Sequence, residues 1–347
     1  TRTTCSKKNI INIFFKGIQN CSLFKHLSEV ELTTISLIST IEDFNKGDSL
    51  FSQGDKGGDI YIVIEGSVDL FIREGLEKKK RIASYEKNDF LGELAFFLND
   101  MRIGTAIANE KTSVIVINKK IYELASIFKT SGFVEFLKNI ANRAGATIKE
   151  ISQLMTSNKN VKLQFLNKLP KVSVEEQGIE KRRESGAKFK ISNLKNLHIF
   201  KRIDSESLQK LCKKSHMVKL DKGEVIFSEN SIGKSFYIIV SGAVLIVKSF
   251  KINKENKHGK IALVPPGRPL GHLSFFDNSK RSASAIACER TTLMEIELST
   301  YNELVNTVSE ETAVAFELLQ GFIDDLAVAM VNTNRALVYA SSQLGLK

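Results

Sequence analysis

The sequence predicts a mainly β protein with flanking helices, made of one unit used twice. Three observations predict it. Gly92-Glu93-Leu94-Ala95, with Arg102 nine positions after the glutamate, returns as Gly271-His272-Leu273-Ser274, with Arg281 nine positions after the histidine. Matches around these frames hold register: Phe24-Lys25-His26-Leu27-Ser28 with Phe200-Lys201-Arg202-Ile203-Asp204, Lys46-Gly47-Asp48 with Lys222-Gly223-Glu224, and Gly66 with Gly242 are all 176 positions apart. Short runs rich in β-branched and aromatic residues end at glycine, the pattern of strands closed by turns.

Each unit reads as helix, many short strands, then helix. Ile60 to Val63 and Phe236 to Val240 are strands that end at Gly66 and Gly242. Val68 to Ile72 and Val244 to Val247 are the return strands. Strands this short, punctuated by glycine, suggest a sandwich or a closed barrel. The second frame lies 179 positions after the first, so three extra residues belong in a loop over Ser249–Pro269. Each unit then closes with apolar residues three or four apart. In the first these are Phe133, Phe136, Leu137, Ile140, Ala144, Ile148, Ile151 and Leu154; in the second, Phe316, Leu319, Phe322, Ile323, Leu326 and Met330. Such a helix either packs on its own barrel or offers a surface for dimerisation or lid closure. The expected boundaries are a first domain over 10–157, a polar linker over 158–192, a second domain over 193–336 and a tail over 337–347. Arg182-Arg183-Glu184-Ser185 in the linker reads as a solvated segment or as a substrate for a basic-directed kinase.

Composition narrows the function classes. At 347 residues there is room for two cores. The net charge is +11, which suits an anionic ligand, a nucleic acid or an acidic partner; much of it sits in lysine–asparagine loops such as Lys251 to Lys257. Cys5, Cys21, Cys212 and Cys288 are scattered, which argues for a reducing, cytoplasmic setting. No apolar run reaches the ~20 residues of a membrane helix, and no secretory pattern opens the chain, which starts at Thr1. The five histidines form no cluster of metal-ligand spacing, so no metal and no metal-dependent barrel enzyme is expected. A helix-turn-helix needs more chain than follows the last helix, so no nucleic-acid partner is expected either.

The repeated frame carries chemistry for a phosphate next to a hydroxyl. Arginine's planar fork bonds two phosphate oxygens at once. A short helix opening at Gly92 offers unpaired N–H groups and the positive end of its dipole. Glycine lets the backbone approach closely, and Glu93 is an acceptor for a hydroxyl. In these residues the chain resembles the cyclic nucleotide-binding domain family, whose cassette runs approximately Phe-Gly-Glu-Leu-Ala, a few residues, Pro-Arg-Ala-Ala-Thr. Leu91 to Phe97 followed by Met101-Arg102-Ile103-Gly104-Thr105-Ala106 departs chiefly at Met101, which stands for the proline.

The resemblance covers nearly the whole chain and implies two tandem domains. Each would be a jelly-roll-like β-roll with an N-terminal helical segment and C-terminal helices. It implies no catalysis and no cofactor, but a ligand, cAMP or cGMP. Its first-domain site would be Gly92, Glu93, Leu94, Ala95, Arg102, Ile103 and Gly104, with Glu93 on the ribose hydroxyl and Arg102 on the cyclic phosphate. A hydroxyl after the arginine favours guanine in several members; Ile103 has none, so cAMP is expected there. The second site would be Gly271, His272, Leu273, Ser274, Arg281 and Ser282. His272 replaces the ribose acceptor, and a protonated imidazole accepts no hydrogen bond. The implied partner is a protein effector, a kinase catalytic subunit or another. In that kinase family, however, the inhibitory segment precedes the first domain, and only about twenty residues precede Phe24 here. An interaction scaffold of ligand-free domains is the alternative.

Overall fold

The glycine-closed apolar runs become antiparallel strands throughout. The computed structural model describes residues 7–18, 20–74, 78–98, 101–128, 130–157, 182–252, 255–272, 274, 279–306 and 312–325. The chain divides into two units between Gln153 and Leu154, and each is taken by itself.

The first unit has strands β1 (Ser39–Phe44), β2 (Ser49–Phe51), β3 (Ile60–Glu65), β4 (Val68–Glu74), β5 (Lys78–Tyr85), β6 (Phe90–Leu91), β7 (Thr105–Ala108) and β8 (Thr112–Ile117). They form two four-stranded sheets, ordered β1-β8-β3-β6 and β2-β7-β4-β5. Tyr61, Val63, Val114 and Val116 from one sheet meet Phe51, Val68, Leu70, Ala106 and Ala108 from the other in a shared core. Because side chains alternate along a strand, Ile60, Ile62, Ile115 and Ile117 face the opposite way, and they are buried too. Helices cover that second face. The helices of this unit are α1 (Lys7–Ile18), α2 (Glu29–Leu37), α3 (Glu93–Leu98), α4 (Lys120–Phe128) and α5 (Ser131–Ser157). Gly17 of α1 lies so close that a Cβ there would meet Ile64 and Ile115. A run of ring contacts, Phe14–Phe24, Phe24–Phe136 and Phe133–Phe136, ties α1 to α5. α2 begins at a reciprocal cap between Ser28 and Glu31.

The second unit repeats the plan with β10 (His216–Leu220), β11 (Val225–Phe227), β12 (Ser235–Ser241), β13 (Val244–Ile252), β14 (Glu255–Val264), β15 (Pro269–Leu270), β16 (Ser284–Ala287) and β17 (Thr291–Glu297). One sheet runs β11-β16-β13-β14. The other, β15-β12-β17-β10-β9, carries an extra edge strand, β9 (Arg183–Ser185). Residues 312–325 are helical; Phe236 of β12 meets Phe322 of this helix edge-on, with centroids 4.7 Å apart.

Two expectations are corrected. The extra residues of the second copy do not form a loop over Ser249–Pro269; they lengthen the β13–β14 hairpin, which pairs from Val244↔Val264 to Ile252↔Glu255. The linker does not extend to 192: β9 pairs with β10, followed by a single turn over Gly186–Lys188 and a helix over Ile191–Lys195. The cause is electrostatic. Glu295 of β17 has no exposed surface and requires a counter-charge. Arg183 supplies it with two hydrogen bonds, Nε to Oε2 at 2.6 Å and Nη2 to Oε1 at 2.7 Å. Tyr237 adds a hydroxyl donor to Oε1 at 3.2 Å. Arg182 pairs with Glu224, so both arginines of the Arg-Arg-Glu-Ser run are engaged, whereas Ser185 stays exposed. Residues 158–181 and 337–347 lie outside the described residues.

Over their described parts, the closing helices take the packing role. Phe133, Phe136, Leu137, Ile140 and Ala144 are buried, as are Phe316, Leu319, Phe322 and Ile323. Leu326 and Met330, and the side chains of Ile148, Ile151 and Leu154, are outside the described residues.

The Arg183–Glu295 pair makes a quantitative prediction. Arg183→Ala leaves a buried carboxylate without its cation and should cost the second unit about 3 kcal/mol. In a denaturant titration, the second unit's transition should move while the first unit's stays in place. Adding Glu295→Gln should recover most of the loss.

Candidate functional site

In each unit one arginine is folded into the barrel and held by main chain. The backbone of Arg102 is pinned on both sides, its N–H to Asp55 O at 2.7 Å and its carbonyl by the Gly54 N–H at 2.9 Å. The guanidinium then turns inward. Its Nη1 donates to the carbonyls of Asp59 and Gly92, each at 3.0 Å. Its carbon lies 4.4 Å from the centre of the Phe51 ring and 5.4 Å from that of Tyr61, a cation–π box. Gly57 lies against the same group, where a Cβ would overlap the guanidinium. Gly92 has φ +92°, the left-handed region, and a Cβ there would strike Arg102 Nη1 and Asp59 O at 2.8 Å. Glycine is therefore required at Gly92 twice over.

The second unit repeats this arrangement. Arg281 is pinned through Ser231 O and the Asn230 N–H, both at 2.8 Å. Nη1 donates to Gly271 O at 2.5 Å, and Nη2 to the Ser235 carbonyl. Phe227 lies 4.4 Å beneath the guanidinium carbon, and Gly233 occupies the position of Gly57. Gly271 also has positive φ, +73°. One bond is added: Nη1 reaches Ser274 Oγ at 2.9 Å, where the first unit has Ala95.

The remaining predicted residues fall around these anchors. Glu93 opens α3 and is buried, as is Ala95; Leu94 lies in the same helix. Ile103 and Ser282 are half-buried beside their arginines. Gly104 turns from the pocket to pack on β4, where a Cβ would meet Phe71 O at 2.7 Å. Leu273 lies outside the described residues. Sequence reasoning missed Phe51, Gly57 and Tyr61, together with Phe227, Gly233 and Tyr237. Each pair is 176 positions apart, so the repeat register was the signal that could have found them.

Burial pulls the pKa of Arg102 below its ordinary value, opposed by the charges of Tyr61, Asp59 and Glu93. Arg281 is lowered by burial in the same way, opposed by Tyr237 and Glu295. Both remain cations, since a guanidinium does not deprotonate in proteins. Each unit thus presents a fixed positive charge in a dry wall, where its attraction for an anion is little screened. Beside Arg102 stands a carboxylate residue, Glu93; at the matching position near Arg281 stands an imidazole, His272.

His272 is buried and lies flat on Phe322, with centroids 5.6 Å apart and planes 8° apart. Its Nε2 is 3.6 Å from Asp325 Oδ2, and its Nδ1 has no protein partner. Burial, reinforced by the charge of Arg281, pushes the ring pKa down to about 3. The ring is therefore neutral, and its approach to Asp325 is not an ion pair. Burial likewise pushes Asp325 up to about 6, with Arg268, 3.2 Å away, pulling it down and Asp324 pushing it up. Among the described residues, no group of three or more His, Cys, Asp or Glu is placed to hold a metal, and no helix is long and apolar enough to cross a membrane.

Each unit thus sets a buried arginine on an aromatic face, beside a glycine of positive φ, within a two-sheet roll. The family model for the cyclic nucleotide-binding domain matches residues 41–126 and 217–308, about half of the chain, and the chain belongs to that family. Its relatives include a cAMP-dependent protein kinase regulatory subunit of Dictyostelium discoideum, 21% identical over 309 residues that cover 89% of this chain and 78% of the relative. The mouse cGMP-dependent protein kinase 2 is 24% identical over 260 residues, 70% of this chain but 32% of that kinase; the chain thus spans about a third of its length. Among solved structures, the regulatory domain of Toxoplasma gondii PKA crystallised with cAMP is 18% identical, with 90% of this chain and 95% of that one covered and a TM-score of 0.30.

Burial of His272 and of Asp325 gives the second unit a pH response. His272 takes its proton at about 3 when folded, against 6.5 ordinarily, so its stabilising contribution is present above pH 6.5 and lost as pH falls toward 3. Asp325 takes its proton at about 6 when folded, against 3.8, so its contribution is present below 3.8 and lost as pH rises through 6. The two slopes oppose each other between about pH 4 and 6. Asp325→Asn should unmask the histidine: stability of the second unit should fall on acidification by up to about 1.4 kcal/mol per pH unit more steeply than in the wild type. Urea unfolding at pH 7, 6 and 5 measures the difference.

Proposed function

We propose that the chain is a non-catalytic receptor that binds a cyclic nucleotide in its first domain and, through that binding, controls a protein partner. The domains are taken as 10–157 and 182–336. The single observation that carries the reading is the Arg102 guanidinium, buried on Phe51 and Tyr61 and set beside the opening of α3 at Gly92 and Glu93. A cyclic phosphate would take the outer edge of the guanidinium and the first N–H groups of α3, which lack intrahelical acceptors. Glu93 would accept from the ribose 2′-hydroxyl. Family membership and the two relatives, a kinase regulatory subunit and a cGMP-dependent kinase, support the same reading.

The preferred ligand is cAMP over cGMP, because Ile103, next to the phosphate arginine, has no hydroxyl for a guanine. The preferred partner is a kinase catalytic domain, since both relatives named above are kinases or kinase subunits. Ligand binding is a matter of differential affinity for two positions of the helices that follow the cassette. No metal or second cofactor is needed for it.

Calorimetric titration with cAMP and cGMP tests the proposal. Wild type should bind cAMP more tightly than cGMP. Arg102→Ala should weaken binding by about two orders of magnitude, the worth of a charged bidentate contact. Gly57→Ala is the sharper variant. Its added methyl displaces only the tip of a flexible side chain, so the fold should persist with an unchanged circular dichroism spectrum. Binding should still drop at least about tenfold, because the guanidinium leaves its carbonyl supports. No heat with either nucleotide at millimolar concentration overturns the proposal.

A further inference from the structure

We infer that the second cassette has become a latch for the chain's own helix 312–325 and is no longer a nucleotide site. The inference rests on the reading of the first cassette as a cyclic nucleotide site, since it takes that cassette as its reference.

Three observations carry it. First, the ribose acceptor is gone: a neutral imidazole can accept at one nitrogen only, and both nitrogens of His272 are in the interior. Nε2 faces Asp325 of the helix, and Nδ1 is buried without a partner. Second, the ring's flat face is already covered by Phe322, whose own edge is held by Phe236 of β12. The same helix is gripped at two further points, Asp325 by Arg268 and Gln320 by Arg202 Nη1 at 2.6 Å. Third, the arginine has acquired an internal acceptor. Ser274 Oγ takes a hydrogen bond from Arg281 Nη1 and donates one to Gly271 O at 3.2 Å. A phosphate entering there would have to displace a bond that Ala95 cannot make in the first unit.

The acid that offsets the guanidinium has also moved. Opposite Tyr61 in β3 stands Val116 of β8; opposite Tyr237 in β12 stands Glu295 of β17. The second arginine therefore keeps a carboxylate nearby without presenting one to a ligand. The residues that made a receptor now make a joint between cassette and helix, and the second unit keeps its helix in place whatever the nucleotide concentration.

Two measurements on the full chain decide it. Calorimetry with cAMP and with cGMP should give one equivalent bound, weakened about a hundredfold in Arg102→Ala. Two equivalents, one of them abolished by Arg281→Ala, would overturn the latch. A chain that binds none fails the first-site reading, and hydrogen–deuterium exchange then decides the latch alone. Amides of 312–325 should be protected with no nucleotide added and unchanged at saturating cAMP. Phe322→Leu and His272→Gln, both of which keep a side chain of similar bulk, should speed their exchange about five- to tenfold, leaving the β-strand amides of the second unit protected. Exchange that is slowed by cAMP in the wild type, or indifferent to both substitutions, sinks the inference.

Discussion

Each cassette depends on a cation buried against bare backbone. A guanidinium taken out of water needs acceptors, a counter-charge and a surface of low polarity that still attracts it. Both units meet all three demands in the same way. Two carbonyls take one nitrogen or its neighbour, an aromatic ring lies under the plane, and an acid sits close by. Space for the group exists only because Gly57 and Gly233 have no side chain. The loops between β2 and β3, and between β11 and β12, are shaped by that need as much as by the turn they make.

That demand explains which substitutions the duplicated unit has tolerated. The glycines, the aromatic rings and the arginines are retained, 176 positions apart before the lengthened hairpin and 179 after it. What differs is the acid. In the first unit Glu93 lies in the cassette; in the second the cassette carries His272, and Glu295 appears on the sheet. Glu295 then needs its own cation, and Arg183 brings β9 onto the sheet edge to provide one. One replaced carboxylate is thus connected with an extra strand through a chain of charge requirements.

Much of this was legible in the sequence. The repeat register located both cassettes, the strands before and after Gly66 and Gly242, and the closing helices, because apolar periodicity and glycine reflect local geometry. The cassette arginines and Glu93 were legible because their residue types at that spacing have few other uses. β9 was not legible: Arg183-Glu184-Ser185 has the composition of a solvated segment, and its burial depends on Glu295, 112 positions away. The β13–β14 extension failed for a related reason, since its lysine-rich strands look like loop until their pairing is known. His272 was legible as a change but not as a contact, because nothing local to it points to Phe322 or Asp325.

The exchange of Glu93 for His272 alters more than a hydrogen bond. A carboxylate beside a guanidinium is satisfied either by it or by a hydroxyl donor, and it offers no apolar face for a ring to stack on. A neutral imidazole has a flat apolar face that gains by stacking and little to offer a ribose. At that point the imidazole stacks on an aromatic ring, that of Phe322. Burial under that ring then keeps the imidazole neutral, and neutrality in turn removes any penalty for facing Arg281. Each step favours the next, and in the second unit His272, Ser274 and Glu295 together stand where the first unit has Glu93, Ala95 and Val116.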